Sequence, residues 1–180
     1  MRETPSSKAL FLDRDGIINT DYGYVFEIEK FEFTEGVFDF LKLFIKKEYK
    51  LFIVTNQSGI GRGYYTQENF NTLTKWMLKQ FQKENIYIES VKYCSHAPEE
   101  NCHCRKPNIG MIEDILSEYQ IDLIDSWMIG DKQSDISLAH NATIKHTISI
   151  GNKEIDNSEF SFGSILECYH YLEANQDTIK

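Results

Sequence analysis

The sequence predicts an α/β fold in which a mostly parallel sheet is covered by helices on both faces. Short apolar runs that each end in a polar cluster, with segments of helical period between them, are the observations that predict it. Strands that alternate with helices run parallel, because each crossover returns the chain to the same end of the sheet.

Residues 8–12 (KALFL) read as the first buried strand, ending at DRDG, and residues 49–54 (YKLFIV) as a second, ending at TNQSG. Between them Val37, Phe40, Leu41, Phe44 and Ile45 recur at i, i+3, i+4, i+7 and i+8, the stripe of a helix packed on a sheet. A helix over about 66–85 follows, with Phe70, Leu73, Met77 and Phe81 on one face, then a strand near 91–93. The remaining elements are a helix over about 109–119, a strand SWMIG, a short helix through Ile136 and Ala139, a strand at 146–150 (HTISI) and a helical tail at 164–174.

With 180 residues, 41% of them hydrophobic and 13% aromatic, the chain has the length and the apolar content for one core, so residues 1–180 read as a single domain. No repeat or Pro/Gly/Ser linker marks a boundary. The opening MRETPSSKALFLD carries early charges and no apolar core of a signal peptide, and no run approaches the roughly 20 apolar residues of a membrane span, so a cytoplasmic location is expected. A net charge of −9 argues against nucleic acid or an anionic membrane as partner. A small anionic substrate remains compatible if a local basic cluster receives it.

In parallel sheets ligands bind beyond the carboxyl ends of the strands, and here those ends carry four polar motifs. Asp13 and Asp15 are two apart, so strand alternation puts both carboxylates on one side and turns Arg14 away. Such a pair can hold Mg²⁺ and divide the work of nucleophile and general acid, although D-x-D alone is equally a turn of solvated acids. Thr55, Asn56, Gln57 and Ser58, followed by Gly59, Gly61 and Gly63, offer hydroxyls, amides and main-chain N–H groups to phosphate oxygens, or simply form a glycine-rich turn. Asp131 in GDKQSD would add a third carboxylate at the same rim, if it is more than a turn residue.

The third motif is KYCSHAPEENCHCRKP, with Cys94, His96, Cys102 and Cys104 spaced C-x-H-x5-C-x-C. Two close ligand pairs joined by a short reversal can close a Cys3His zinc tetrahedron, a saturated and hence structural set. Free thiols or a redox pair are the alternative; the crowding of three cysteines is not the spaced framework of a secreted disulfide protein. Arg105 and Lys106 follow at once, and Pro107 keeps Lys106 extended ahead of the next helix, where an anion would be favoured. Without that context the pair would read as solvated. Asp21, Tyr22, Gly23 and Tyr24 lie in a loop that must pass over the rim.

DRDG, TN, Lys-Pro and GDxxxD, in this order at successive strand ends, resemble the four motifs of the haloacid dehalogenase-like phosphohydrolases. FLDRDGIIN, DYGYV, TNQSGIGRG, the cysteine loop running into CRKP, and IGDK look like the heptose 1,7-bisphosphate phosphatase branch of that superfamily, over about residues 10–151. The resemblance implies a Rossmann-like sandwich with no large cap domain, and a Mg²⁺-dependent phosphatase. Its substrate would be a small heptose bisphosphate, losing its C7 phosphate on the way to a nucleotide-activated heptose for lipopolysaccharide. It further implies Asp13 as nucleophile, Asp15 as general acid/base and Thr55 and Lys106 as holders of the transferring group. Mg²⁺ would sit on Asp13, the main chain of Asp15 and Asp131, and Zn²⁺ on Cys94, His96, Cys102 and Cys104. Arg105, Lys132, Asn56 and the 21–24 loop would meet the substrate, and a monomer would suffice. The short 97–101 stretch is closer to the related histidinol-phosphate phosphatases, which stand as the alternative substrate class. A zinc-stapled module that only binds phosphorylated ligands is the alternative of another kind.

The two-step chemistry needs Asp13 ionised and Asp15 protonated at the outset, so their pKa values are expected to differ in that sense.

Overall fold

The computed structural model describes residues 6–180. Its six strands are β1 (Ala9–Leu12), β2 (Lys50–Asn56), β3 (Ile88–Cys94), β4 (Trp127–Gly130), β5 (His146–Ile150) and β6 (Phe160–Phe162). They form one sheet in the order β3-β2-β1-β4-β5-β6, with every neighbouring pair parallel.

Alternation along the strands divides the core in two. Leu10, Leu12, Leu51, Ile53, Trp127, Ile129, Ile148 and Ile150 face one side, against α1 (Val37–Lys46), α2 (Gln67–Lys83) and α5 (Ile165–Ala174). Ala9, Phe11, Phe52, Val54 and Met128 face the other, against α3 (Gly110–Glu118) and α4 (Gln133–Asn141). The result is an α/β/α sandwich whose central strands are apolar on both faces, as a covered parallel sheet requires. Thr66 opens α2 by accepting from the Asn69 N–H, while Ser164 opens α5 by accepting from that of Glu167.

β6 is not visible as a strand in the sequence, because three residues at a sheet edge carry no readable alternation. It pairs with β5 from Ile148↔Phe160 to Ile150↔Phe162 and leads into α5, whose Ile165, Cys168 and Leu172 are buried in the first core. No helix among the described residues is long and apolar enough to cross a membrane.

β1 connects to β2 on one side and pairs with β4 on the other, so the direction of winding reverses between β1 and β4. A crevice opens at such a reversal, beyond the carboxyl ends of the two strands. Asp13 and Asp131 are the residues that follow those ends.

Candidate active site

Asp13 leaves β1 with its N–H still donating to Ile129 O at 3.0 Å, which holds it against β4. Its Oδ1 accepts from the Arg14 N–H at 2.7 Å and lies 3.0 Å from Lys106 Nζ. Lys106 Nζ is also 2.7 Å from Asp135 Oδ1 and donates to Val54 O at 2.9 Å, so one buried ammonium faces two carboxylates and a carbonyl. Asp13, Lys106 and Asp135 are all buried. Burial raises the Asp13 carboxyl to about 7, against the pull of Lys106. Burial works against the charge of Lys106 too, but Asp13 and Asp135 outweigh it and push its pKa up.

Arg14 does not turn away as alternation predicts. The strand ends at Leu12, and the N–H groups of Ile17, Ile18 and Asn19 all reach back to Arg14 O, so the period of two no longer applies. The side chain runs inward, 1% exposed, and its Nη2 donates to both oxygens of Asp15 at 2.9 and 3.0 Å and to Val25 O at 2.7 Å. Asn19 Nδ2 and Gln57 Nε2 also donate to Asp15, at 3.0 and 2.9 Å. Burial favours the neutral form of Asp15, but the Arg14 charge and these hydrogen bonds prevail and hold its carboxyl below the ordinary carboxylate range.

The two pKa values therefore diverge in the sense opposite to the expectation from mechanism. Asp13 has one buried ammonium shared with Asp135, whereas Asp15 has a guanidinium of its own and two amide donors. A cation bound beside Asp13 would supply the missing positive charge.

Asp13, Asp15, Asp21, Gly23, Tyr24, Asn56, Gln57, Ser58, Arg105, Lys106 and Lys132 line one cavity of about 350 Å³, together with Tyr65 and Ser134. Its basic side is Arg105, whose Nη1 is buried without a partner, and Lys132, near Asp21 Oδ2 (3.3 Å) and Asp131 Oδ1 (3.4 Å). Tyr22 lies outside this lining: it is exposed and its hydroxyl donates to Glu32 at 2.6 Å. Thr55 is fully buried beneath the floor, accepting from Gln57 Nε2 at 2.9 Å. Asp131 also lies outside it, lining the adjoining cavity behind Asp21.

Carboxylate oxygens of Asp13, Asp131 and Asp135 come within 4.8 Å of one another, and Asp131 Oδ1 and Asp135 Oδ1 are buried acceptors without a hydrogen bond, each facing a lysine ammonium, Lys132 at 3.4 Å and Lys106 at 2.7 Å. An all-oxygen set of this kind suits a hard cation such as Mg²⁺. Asp135 is the member that reasoning from sequence left out of the site. Its Oδ2 caps α4 by accepting from the Lys132 N–H at 3.0 Å, and a Cβ at Gly130 would run into it. The GDxxxD spacing was the available signal.

Cys94, His96, Cys102 and Cys104 form a second cluster. The separations are 3.4 Å for Cys94 Sγ to Cys102 Sγ, 3.6 Å for Cys102 to Cys104, and 3.6 and 3.2 Å from His96 Nδ1 to Cys94 and Cys104. Sulfur and nitrogen donors about 2.3 and 2.0 Å from a shared tetrahedral ion sit roughly 3.5–3.8 Å apart, so the four fit zinc, and the sulfurs are too far apart for disulfides. His103 points outward instead and meets Glu113 at 2.5 Å.

Comparison with known proteins agrees with this geometry. Residues 9–168 match the family described as polynucleotide kinase 3 phosphatase. A D-glycero-beta-D-manno-heptose-1,7-bisphosphate 7-phosphatase of Helicobacter pylori is 49% identical over 144 residues, 79% of this chain and 83% of that protein. The D-glycero-alpha-D-manno-heptose-1,7-bisphosphate 7-phosphatase of Campylobacter jejuni is 46% identical over 169 residues, 93% of this chain and 96% of that one. Among solved structures, a D,D-heptose 1,7-bisphosphate phosphatase from B. bronchiseptica, complexed with magnesium and phosphate, superposes with a TM-score of 0.81. That likeness covers 93% of this chain and 99% of the other at 22% identity, and it speaks for the fold. Taken with the sheet order and the strand-end carboxylates, these matches establish that the chain belongs to the polynucleotide kinase 3 phosphatase family, within the haloacid dehalogenase-like phosphatases.

Proposed function

We propose that this chain is a Mg²⁺-dependent phosphatase that removes the C7 phosphate of D-glycero-D-manno-heptose 1,7-bisphosphate through an aspartyl-phosphate on Asp13. The observation that carries the reading is the buried Asp13 carboxylate, fixed through one oxygen by Lys106 and the Arg14 N–H in the wall of a cavity that Arg105 and Lys132 also line. The high identity to two heptose bisphosphatases, over most of both chains, supports the choice of substrate.

Because both contacts fall on Oδ1, Oδ2 is the oxygen assigned to attack. As the Oδ2–P bond forms, the bond from phosphorus to the sugar oxygen breaks, and that oxygen must gain a proton. The Arg14 charge favours the ionised form of Asp15, so Asp15 must receive a proton before it can deliver one. A phosphomonoester with a second pKa of about 6 can carry it, and Asp15 relays it to the departing C7 hydroxyl. Asp15 then takes a proton from the water that attacks phosphorus, releasing phosphate and restoring Asp13.

Lys106 and Arg105 place positive charge where the equatorial phosphoryl oxygens lie, with Thr55 beneath, and Lys132 and the loop of Asp21, Gly23 and Tyr24 border the sugar. Asp13, the main chain of Asp15 and Asp131 would hold Mg²⁺, which would supply further charge neutralisation for the phosphoryl group. Zn²⁺ at Cys94, His96, Cys102 and Cys104 is assigned a structural role, keeping CRKP in place. All of these groups come from one chain, so a monomer suffices.

The deciding experiment measures phosphate release with Mg²⁺ from both heptose 1,7-bisphosphate anomers and from histidinol phosphate. The expected result is Mg²⁺-dependent turnover of a heptose bisphosphate that Asp13→Asn abolishes while the protein stays folded and zinc-loaded. Undiminished activity in that variant would overturn the mechanism. Faster release from histidinol phosphate would overturn the substrate, and binding without release would favour a non-catalytic module.

A further inference from the structure

Asn56 lines the cavity, and its position in the TNQS motif suggests a substrate contact. Its hydrogen bonds point elsewhere. Asn56 Oδ1 accepts from the Lys106 N–H at 3.0 Å, and Asn56 Nδ2 donates to Lys106 O at 3.3 Å. One carboxamide thus takes both main-chain polar groups of a residue 50 positions away. The pairing also fixes which end of the amide is which, since the N–H of Lys106 needs an acceptor and its carbonyl a donor.

We infer that Asn56 is a positioning residue, which sets the main chain of Lys106 so that its ammonium reaches Asp13, and that it acts on phosphoryl transfer through Lys106 instead of through the substrate.

The accounting around Lys106 supports this. Its Nζ is ion-paired with Asp13 and Asp135 and hydrogen-bonded to Val54 O, and its N–H and C=O are both used by Asn56. A long flexible side chain delivers a charge to a fixed point only if its root is fixed as well. Cys104 of the proposed zinc set lies two residues before Lys106, and Arg105 O accepts from the Asn108 N–H at 2.8 Å. Asn56 adds the bonds that fix the peptide groups of Lys106 itself.

The same two loops are laced together nearby. Gln57 N–H donates to Cys94 O at 2.7 Å, and Gly61 N–H to Ser95 O at 2.8 Å. A Cβ at Gly61 would meet Ala97 N and Ser95 O at 2.7 Å, so only glycine allows the backbones this close. The zinc loop is thereby seated on the TNQSG loop at its start and, through Asn56, at its end.

The inference rests on the phosphatase reading for its catalytic consequence, and a mutant cycle tests that part. Asn56→Ala, Lys106→Met and the double variant are compared with wild type, zinc- and Mg²⁺-loaded, on heptose bisphosphate and on p-nitrophenyl phosphate. Asn56→Ala is expected to lower kcat by about 10- to 100-fold, by a similar factor on both substrates, with KM little changed. In the Lys106→Met background it should cost less than about twofold, because the group it positions is gone. An equal loss in both backgrounds, or a loss confined to KM for the sugar, would make Asn56 an independent substrate contact and overturn the inference.

Amide hydrogen exchange over residues 102–110 gives a readout that needs no turnover. Faster exchange in Asn56→Ala supports the positioning role, and unchanged exchange overturns it. Absence of turnover in wild type would count against the phosphatase reading alone. If the alanine variant fails to load zinc, Asn56→Asp, which keeps an acceptor for the Lys106 N–H and loses the donor to Lys106 O, takes its place under the same criteria.

Discussion

Asp135 Oδ1 stands 2.7 Å from Lys106 Nζ, closer than Asp13 Oδ1 at 3.0 Å. A single ammonium is thus shared between a carboxylate at the reacting centre and one that has no exposure to solvent. By drawing on Lys106, Asp135 limits the charge that reaches Asp13 and leaves room there for a second cation. Asp135→Asn keeps the shape and the cap on α4 but removes this competition, together with one carboxylate charge of the Asp13, Asp131 and Asp135 set. Lys106 should then pair more tightly with Asp13, so the Mg²⁺ concentration for half-maximal activity should rise. Stability should fall by about 3 kcal/mol, the low end for a broken buried pair, because Asp13 still neutralises Lys106. Mg²⁺ titration of the initial rate and urea denaturation measure the two effects; an unchanged Mg²⁺ requirement would refute the sharing argument.

The cluster of Cys94, His96, Cys102 and Cys104 leads directly into Lys106, so if it holds zinc as proposed, its integrity and the rate should fall together. Selective chelation of Zn²⁺, with Mg²⁺ in excess, leaves three thiols and an imidazole 3.2–3.6 Å apart with nothing to hold them. A loss of about 3 kcal/mol lowers the unfolding midpoint by roughly 6–12 °C at this chain length. Calorimetry and phosphate release, followed through removal and return of zinc, are expected to move in parallel. A zinc-free protein with an unaltered midpoint and rate would show that the loop does not need the ion.

The helix stripe of Val37, Phe40, Leu41 and Phe44 and the strand runs of β1 and β2 were legible because burial imposes a period that the sequence must carry. The four strand-end motifs were legible for the same reason, since a parallel sheet gathers its strand ends at one rim. What escaped depends on contacts between loops. Arg14 turns inward because Ile17, Ile18 and Asn19 wrap onto its carbonyl, a local fold with no periodic signal. Asp135 is placed by capping α4, and Asn56 is turned toward Lys106 by a loop 50 residues later. Tyr65 joins the cavity wall through a hydroxyl that donates to Gln57 Oε1 at 2.6 Å, again a partner chosen by tertiary structure. The sign of the Asp13 and Asp15 shifts follows from these same contacts, which motif spacing does not contain.

Cys168 offers a pH test remote from the metal sites. It is fully buried on α5, and burial, with a smaller push from Glu167, raises its thiol to about 12. A group whose folded pKa lies above its unfolded value, here 9.0, contributes stability that is complete below that value and is lost as pH rises toward about 12. Stability should therefore decline across that window, and less steeply in Cys168→Ala once its cavity cost is subtracted. A thiol reagent at pH 8 should leave Cys168 unmodified in the zinc-loaded protein and modify it only on unfolding. Rapid labelling of Cys168 in the native state would contradict its burial.

Above the cavity, the loop carrying Asp21 and Tyr24 is joined to the GRGYY turn by two aromatic pairs. Tyr24 and Tyr64 meet edge to face with centroids 4.8 Å apart, and Phe26 stacks on Tyr65 at 5.1 Å. Gly59 makes room for them, since a Cβ there would strike the rings of both Tyr65 and Tyr24. Tyr24 lines the cavity in a left-handed backbone conformation, φ 51°, which needs outside support, whereas Tyr64 is exposed, is not part of the lining and packs on Tyr24. Aromatic pairs of this kind contribute about 0.5–1.5 kcal/mol beyond the area they bury. Tyr64→Ala should accordingly raise KM for the sugar bisphosphate by about 2- to 10-fold and leave kcat near wild type, because Asp13 and Lys106 are untouched. Tyr64→Phe keeps the ring and should restore KM, since no hydrogen bond of the hydroxyl is involved in the edge contact. Steady-state kinetics on the bisphosphate and on p-nitrophenyl phosphate separate the two possibilities: a KM change on the small ester as large as that on the sugar would mean that Tyr64 supports the phosphate site and not the sugar-facing loop.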